Sequence, residues 1–345
     1  MDAAPVLRYE MDHEGDVSQL VYTFGGAEAR TSVTPGTIID TSTLDCFAGK
    51  IHSKHDHVSD VCDPRFLNPQ TGPFYVEGAM PGDVLALHFA RIEPRNTQGF
   101  STTVPLFGAL TANGFTQMLH QPLPEMTWAY DIDRENRTVR YEARESDAMY
   151  TLPLDPMHGT VGVAPALNEA RSALTPGDWG GNMDTPEMRS GVTCYLGVNV
   201  EGALFSFGDG HARQGEGETC GVAVETAMDT VVVVELIKNT SPVLWPRIES
   251  DTEIITTGST KPLEDAFRIS HVQLVHWVSE LTGLSTMDSY QFVSQAATTP
   301  VANVVDTNYT VTAKIKKDYL PGINPFNGVH ARLKEIGQAY LATRR

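Results

Sequence analysis

Along most of the chain, apolar and polar positions alternate over short runs that stop at Gly, Pro, Asn or Asp. Such runs cover Thr31 to Ile39, Phe74 to Glu77, Val84 to Ile92, Thr138 to Glu142, Val192 to Val200 and Thr230 to Lys238. Period-two alternation bounded by turn residues predicts strands, and many short strands at regular spacing predict sandwiches or barrels. Pro81-Gly82-Asp83 is a turn signal before the strand that starts at Val84. The unbroken Val231-Val232-Val233-Val234 reads as a strand buried on both faces. Near Lys261 the period changes. From Pro262 to Leu281 apolar residues recur at three- and four-residue spacing, which predicts an amphipathic helix closed by Gly283. Ser285 to Asp288 has the form of a capped start for a second helix through Ser294, and Gly328 to Thr343 forms a third. Arg344 and Arg345 suit the negative end of that last helix dipole. The expected fold is mainly β, with β-sandwich or barrel-like lobes over residues 1–260 carrying the catalytic region. A smaller α/β C-terminal portion, 261–345, packs on it. No internal repeat or low-complexity segment interrupts this order.

Composition narrows the function classes. Of 345 residues, 41% are hydrophobic and 20% charged, the balance of a chain that buries a core. Acids outnumber bases by 43 to 25, a net charge of −18, which argues against a nucleic-acid partner because phosphate contacts need clustered Lys and Arg. No apolar run reaches the length of a membrane-spanning helix, and the opening Met1-Asp2-Ala3-Ala4-Pro5 lacks the basic and apolar segments of a signal peptide. The four cysteines, Cys46, Cys62, Cys194 and Cys220, are scattered without a CxxC pair, as in a reducing compartment. A cytoplasmic location is expected.

The chemistry concentrates between Gly208 and Gly221. Asp209, His211, Glu216 and Glu218 stand there among glycines, between the apolar Leu204 to Phe207 and the strand-like Val222 to Glu225. Glycine permits sharp bends and close approach of the backbone, and a carboxylate–imidazole–carboxylate group can hold a divalent cation or act as acid and base. The same residues would also suit a solvated hairpin turn. Cys220 next to Glu216 and Glu218 is a poor thiolate, since neighbouring negative charge raises a thiol pKa. It reads as a small buried hydrophobe. His52, His55, Asp56 and His57 crowd one polar loop, where imidazoles are more often solvated than ligating. His271 and His276, five apart on a helix, share no face and read as structural.

The run Gly-Asp-Gly-His-Ala-Arg-Gln-Gly-Glu-Gly-Glu-Thr-Cys-Gly at 208–221 resembles the signature of the acetamidase/formamidase family. Three further segments match in order: Asn68 to Asp83 (Asn-Pro-Gln-Thr-Gly-Pro…Gly-Ala-Met-Pro-Gly-Asp), Gly159 to Pro165, and Gly180-Gly181-Asn182-Met183-Asp184. The resemblance spans roughly residues 40 to 225. It implies an amidohydrolase of small linear carboxamides such as formamide and acetamide, releasing ammonia and a carboxylate through metal-activated water. Asp45, Asp184 and His211 are the expected ligands of a divalent metal, with zinc expected from their mixed N/O chemistry. Glu218, or Glu216 in its place, is the expected acid/base. Asn182 and the amides of Gly180 and Gly181 are expected to meet the substrate and its developing oxyanion. How roles divide among Asp45, Asp184, Asp209, Glu216 and Glu218 stays open. Expected partners are a small-molecule amide and further copies of the chain in a homo-oligomer, with neither nucleic acid nor membrane. Two other readings stand beside this one: hydrolysis of another C–N bond, as in a carbamate or larger amide, and a non-catalytic β protein that binds metal or ligand.

Overall fold

The computed structural model describes residues 4–11, 15–111, 119 and 121–344. Met1 to Ala3 and Arg345, considered above, lie outside them. The fold is mostly β with a helical C-terminal part. Nine strands form the large sheet, in the order Val6–Tyr9, Ile38–Ser42, Met228–Ile237, Val84–Pro94, Val192–Gly197, Arg247–Glu249, Glu253–Thr260, Tyr309–Lys316 and Val301–Asn303. A second sheet orders Gly180–Asn182, Met157–Gly162, Phe205–His211, Gln70–Val76 and Thr31–Val33. A third, antiparallel, joins Met149–Pro153, Thr138–Glu142, Met126–Asp133 and Gln98–Thr103.

The first two sheets pack face to face. Leu85, Leu87, Phe89, Val232 and Val234 of the large sheet meet Phe74, Val161, Phe205 and Phe207 of the second, all at or near zero exposure. Side chains alternate across a strand, so Ala86, Val231 and Val233 point the other way, where Val329 and Leu333 of the last helix cover them. This explains the unbroken valine run: both faces of that strand are dry. The helix Leu263–Thr282 covers the far end of the sheet, placing Leu274, Trp277 and Val278 on Ile254, Ala313 and Ile315. The large sheet continues across residue 260, with Glu253–Thr260 paired to Tyr309–Lys316 along its whole length.

Local signals place the helices well. Gly283 sits in the left-handed region (φ 73°) and ends the first helix. Ser285 Oγ accepts from the Asp288 amide (3.1 Å) and donates to its carboxylate (2.8 Å), starting Thr286–Ala296. The last helix spans Val329–Ala342, and Arg344 closes a salt bridge to Asp40 at 2.5 Å. One stretch departs from the sequence reading. Thr31 to Ile39 is two strands in two different sheets, because Pro35 and Gly36 (φ 86°) turn the chain between them. Among the described residues no helix is long and apolar enough to cross a membrane.

Candidate active site

Phe205–His211 lies between Met157–Gly162 and Gln70–Val76 in the second sheet, and its end delivers the acid- and imidazole-bearing segment into the interior. Gly159 lies on the neighbouring strand. A Cβ there would stand 2.3 Å from Asp184 Oδ1, 2.6 Å from Asp209 Oδ2 and 2.8 Å from His211 Cε1. The absent side chain is the space in which these three groups meet. Asp209 and Glu218 hold φ of 58° and 46°, a strained conformation for residues with a Cβ that points to positions fixed by their surroundings.

His211 is 1% exposed. The Gln214 side-chain nitrogen donates to the carbonyls of Asp184 (2.6 Å) and Ala302 (3.0 Å), so Gln214 Oε1 is left as acceptor for His211 Nδ1–H at 2.9 Å. That fixes the imidazole and turns Nε2 inward, 3.3 Å from Asp209 Oδ1 and 3.2 Å from Glu225 Oε1. Donor atoms of Asp184, His211 and Glu218 lie within 4.8 Å of one another, and a second such group is Cys46, Asp209 and Glu225. Asp184 Oδ2 accepts from Asn182 Nδ2 (2.9 Å) and Asn303 Nδ2 (3.4 Å), whereas its Oδ1 is buried without a partner among the described residues. Glu225 shows the same asymmetry. Its Oε1 takes the Ala223 amide at 3.0 Å, and its buried Oε2 has no partner there.

Burial is the leading cause of the electrostatics. It raises the carboxyl pKa of Asp184 and Glu218 well above the usual range, with neighbouring carboxylates adding to the shift at Asp184 and His211 opposing it at Glu218. Glu225 and Asp306 are each pushed up to about 7, again mainly by burial. At His211 burial works against the proton, but Glu225 and Asp209 outweigh it and the pKa ends well above the ordinary histidine value. Asp209 moves down, since His211 overcomes the effect of burial. One imidazole therefore serves Asp184, Asp209, Glu218, Glu225 and Asp306, an excess of negative charge that protons or a cation must balance.

Four of these carboxyl groups border a cavity of about 500 Å³. Asp209, Glu218, Glu225 and Asp306 line it, together with Asn68 and Asn182. Phe47, Val58, Leu67, Val104, Phe107 and Val222 form its walls.

The structure brings together His211, Asp184 and Glu218 of the residues expected from sequence, with Asn182 beside them. Asp45 is not in that group, whose third member is Glu218. Asp45 lies nearby, but its Oδ1 caps a turn, accepting from the amides of Phe47 and Gly49 at 2.9 Å each. Glu216 is exposed and absent from the cavity lining; partial desolvation pushes its pKa up to about 7, with Glu187 adding to the shift and Lys314 opposing it. Asn182 has its Nδ2 committed to Asp184 and Asp306 (2.9 Å each), and its Oδ1 accepts from Asn68 (2.9 Å) and Thr160. It orders the carboxylates. Gly180 and Gly181 (φ 87° and 85°) are packing positions: a Cβ would lie 2.3 Å from the Val161 oxygen and 2.5 Å from the Thr175 oxygen. Cys220 is exposed, and its Sγ donates to the Val222 carbonyl at 3.1 Å, away from the cavity lining. Cys46 and Cys62 both line the cavity; burial with Glu225 and Asp209 holds the Cys46 pKa well above the free value, and burial pushes the Cys62 thiol up to about 11. The His52 to His57 loop folds on itself, Asp56 accepting from the amides of His52 and Ser53, with His52 and His55 exposed.

Sequence reasoning missed Glu225, Asn303, Asp306 and the cradle at Gly159. Asn68 and Gly159 had a signal, since both belong to motif runs already singled out. Asn303 and Asp306 had none, since a parallel bridge between Gly217 and Asn303 carries that segment to the site from far along the chain.

The sequence model of the Acetamidase/Formamidase family matches residues 26–167 and 135–313. The chain belongs to this family. Acetamidase structures share its fold: that of Yersinia enterocolitica superposes with a TM-score of 0.84 at 36% identity, covering 92% of this chain and 93% of the other. An acetamidase of Bacillus halodurans superposes at 0.79 with 29% identity, over 92% and 99% of the two chains. A putative formamidase of Schizosaccharomyces pombe is 25% identical over 263 residues, 60% of this chain and 61% of that relative, so under two thirds of its length is spanned. The family assignment thus covers the strands and turns that carry His211, Asp184 and Glu218.

Proposed function

We propose that this chain is an amidohydrolase of linear carboxamides, converting RCONH2 and water to a carboxylate and ammonia, with a divalent cation held by Asp184, His211 and Glu218. Family membership supports the reaction class. The observation that carries the site is the Gly159 cradle, where a buried, unpartnered Asp184 Oδ1 faces the imidazole held by Gln214. Two carboxylates and one imidazole suit zinc or a similar borderline ion. A divalent cation bound there would polarise the amide carbonyl and acidify water.

The chain's own groups do the rest. Gln214 orients His211 through Nδ1 and keeps Nε2 as the ligating atom, the arrangement that commonly fixes a ligand imidazole. Asn182 and Asn303 occupy Asp184 Oδ2 and so present Oδ1. Glu225 lines the cavity with a free Oε2 and a pKa near 7, and it takes the proton of the attacking water and passes it to the departing nitrogen. Glu218 is the alternative proton carrier if it lies outside the ligand set. The Cys46 thiol, held protonated by burial and carboxylates, is a poor nucleophile. Ammonia release from acetamide and formamide, run beside elemental analysis of the purified protein, tests the reading. Absence of both ammonia release and stoichiometric metal would overturn it in favour of a ligand-binding β protein.

A further inference from the structure

Formamide and acetamide fill little of the cavity above the carboxylates. Acetamide has four non-hydrogen atoms, about 120 Å³ even at a water's share of roughly 30 Å³ for each. The cavity measures about 500 Å³. Four carboxyl groups, Asn68 and Asn182 line it together with a mainly apolar set of side chains. Phe47, Val58 and Val222 form a buried satellite cluster, with Leu67, Val104 and Phe107 packed against it. The polar wall groups are already occupied. Ser59 Oγ donates to Glu125 (2.6 Å), and Asn68 Nδ2 serves Thr160, Asn182, Asp209 and the Ala173 carbonyl. The apolar wall is also fixed in place. A Cβ on Gly221 would stand 2.5 Å from the Phe107 ring, so the ring lies directly on that backbone, and the Ala109 amide donates to the Thr219 carbonyl at 2.9 Å. A mainly apolar chamber with a few charged and polar groups is the usual form of a site for a ligand with a polar head and an apolar body.

Building on the hydrolase reading, we propose that the preferred substrates are primary amides with an apolar acyl group of about hexanoyl or phenylacetyl size, the carboxamide at the carboxylates and the acyl chain along Val58, Leu67, Val104 and Phe107. The C–N bond breaks, a C–O bond to water forms, the nitrogen leaves as ammonia, and no electrons are exchanged with an outside reagent.

The test is kcat/KM for ammonia release by the full chain over acetamide, butyramide, hexanamide and phenylacetamide. Each methylene moved into the chamber is worth about fourfold, so hexanamide is expected to exceed acetamide by on the order of 10²-fold. Val104→Phe, which fills the chamber from a half-buried wall position, is expected to lower the hexanamide-to-acetamide ratio at least tenfold, with circular dichroism checking the fold. A ratio at or below one in the unaltered protein overturns the proposal, as does a ratio that Val104→Phe leaves unchanged. If no amide releases ammonia, hydrolysis itself is refuted. Titration calorimetry with the same amides then decides the chamber separately: hexanamide binding no tighter than acetamide overturns it, and much tighter binding supports it.

Discussion

Beneath the C-terminal helix, Glu249 is met by Lys317 and by the Tyr195 hydroxyl at 2.6 Å each, while around His211 five carboxylates share one imidazole. The His211 group is buried throughout, whereas the first is buried at Glu249, Tyr195 and Arg247 and reaches solvent at Asp251 and Glu280. In the first, acids and bases are matched: Arg247 pairs with Glu280 at 3.2 Å and lies 4.9 Å from the Trp277 ring centre, and Lys334 and His330 reach Asp251. Such a network offsets its own desolvation and locks the last helix onto the sheet. Among the described residues each group holds buried polar atoms without a partner, Arg247 Nε in the first and Asp184 Oδ1 and Glu225 Oε2 in the second, but the His211 group also carries an excess of acids over bases and opens into a cavity. Imbalance that would merely cost stability in a structural network is what a cation- and substrate-binding site requires. The difference between the clusters, more than burial itself, marks the functional one.

The largest effect expected from this contrast is at His211. His211→Ala should abolish amide hydrolysis and strip the bound metal while the circular dichroism spectrum stays native, because the imbalance there serves chemistry more than folding. Near-normal turnover with full metal content in elemental analysis would break the comparison.

Next come the two glutamates, which separate holding a cation from moving a proton. Glu225→Gln should keep the metal and lower kcat on the order of 10²–10⁴-fold, the usual contribution of general acid–base catalysis. Glu218→Gln should lose metal along with activity. If the metal analyses come out the other way round, the two roles exchange.

Gly159→Ala sharpens the geometry. The new Cβ must displace Asp184 Oδ1 or Asp209 Oδ2 by tenths of an ångström or more. We expect a loss of metal affinity or activity of about 10–100-fold, the range seen when groups supporting a ligand are disturbed. Activity at the level of the unaltered protein would mean that the cradle is not part of the site.

How much of this was readable from sequence depends on range. The helix Leu263–Thr282, its Gly283 stop and the Ser285 cap rest on residues within a few positions of one another, and the reading matches them within one or two residues. Thr31 to Ile39 misled because alternation continues across Pro35-Gly36 while the backbone turns. At the site, His211, Asp184 and Glu218 stood in glycine-rich motifs and were visible. Asp45 stood at an equally suggestive strand end, and there its Oδ1 accepts from the amides of Phe47 and Gly49. Glu225 ends a run that reads simply as a strand, and Asn303 and Asp306 arrive through pairing between distant segments. No local pattern encodes such an arrival; only the closed sheet does.

The smallest effect lies in the matched cluster. His88 Nδ1 lies 3.0 Å from Thr193 Oγ1, which also meets His330 Nδ1 at 2.9 Å, and the two rings sit 5.5 Å apart. Burial lowers the His88 pKa to about 3, with His330 and Lys334 adding to the shift and Asp251 opposing it; His330 is lowered as well. The unfolded chain takes up the His88 proton near pH 6.5, the folded chain only far below. The His88 contribution to stability is therefore unchanged above about pH 6.5 and falls below it, by about 1.4 kcal/mol per pH unit, until the folded pKa is reached. His88→Gln retains a side chain able to hydrogen-bond Thr193 and removes one titration. Urea midpoints at pH 7, 5.5 and 4.5 should then fall less steeply than in the unaltered protein, while ammonia release at pH 7 stays the same. An unchanged acid slope would show that His88 does not report the matched cluster's stability, and a lost turnover would show that the two clusters are coupled.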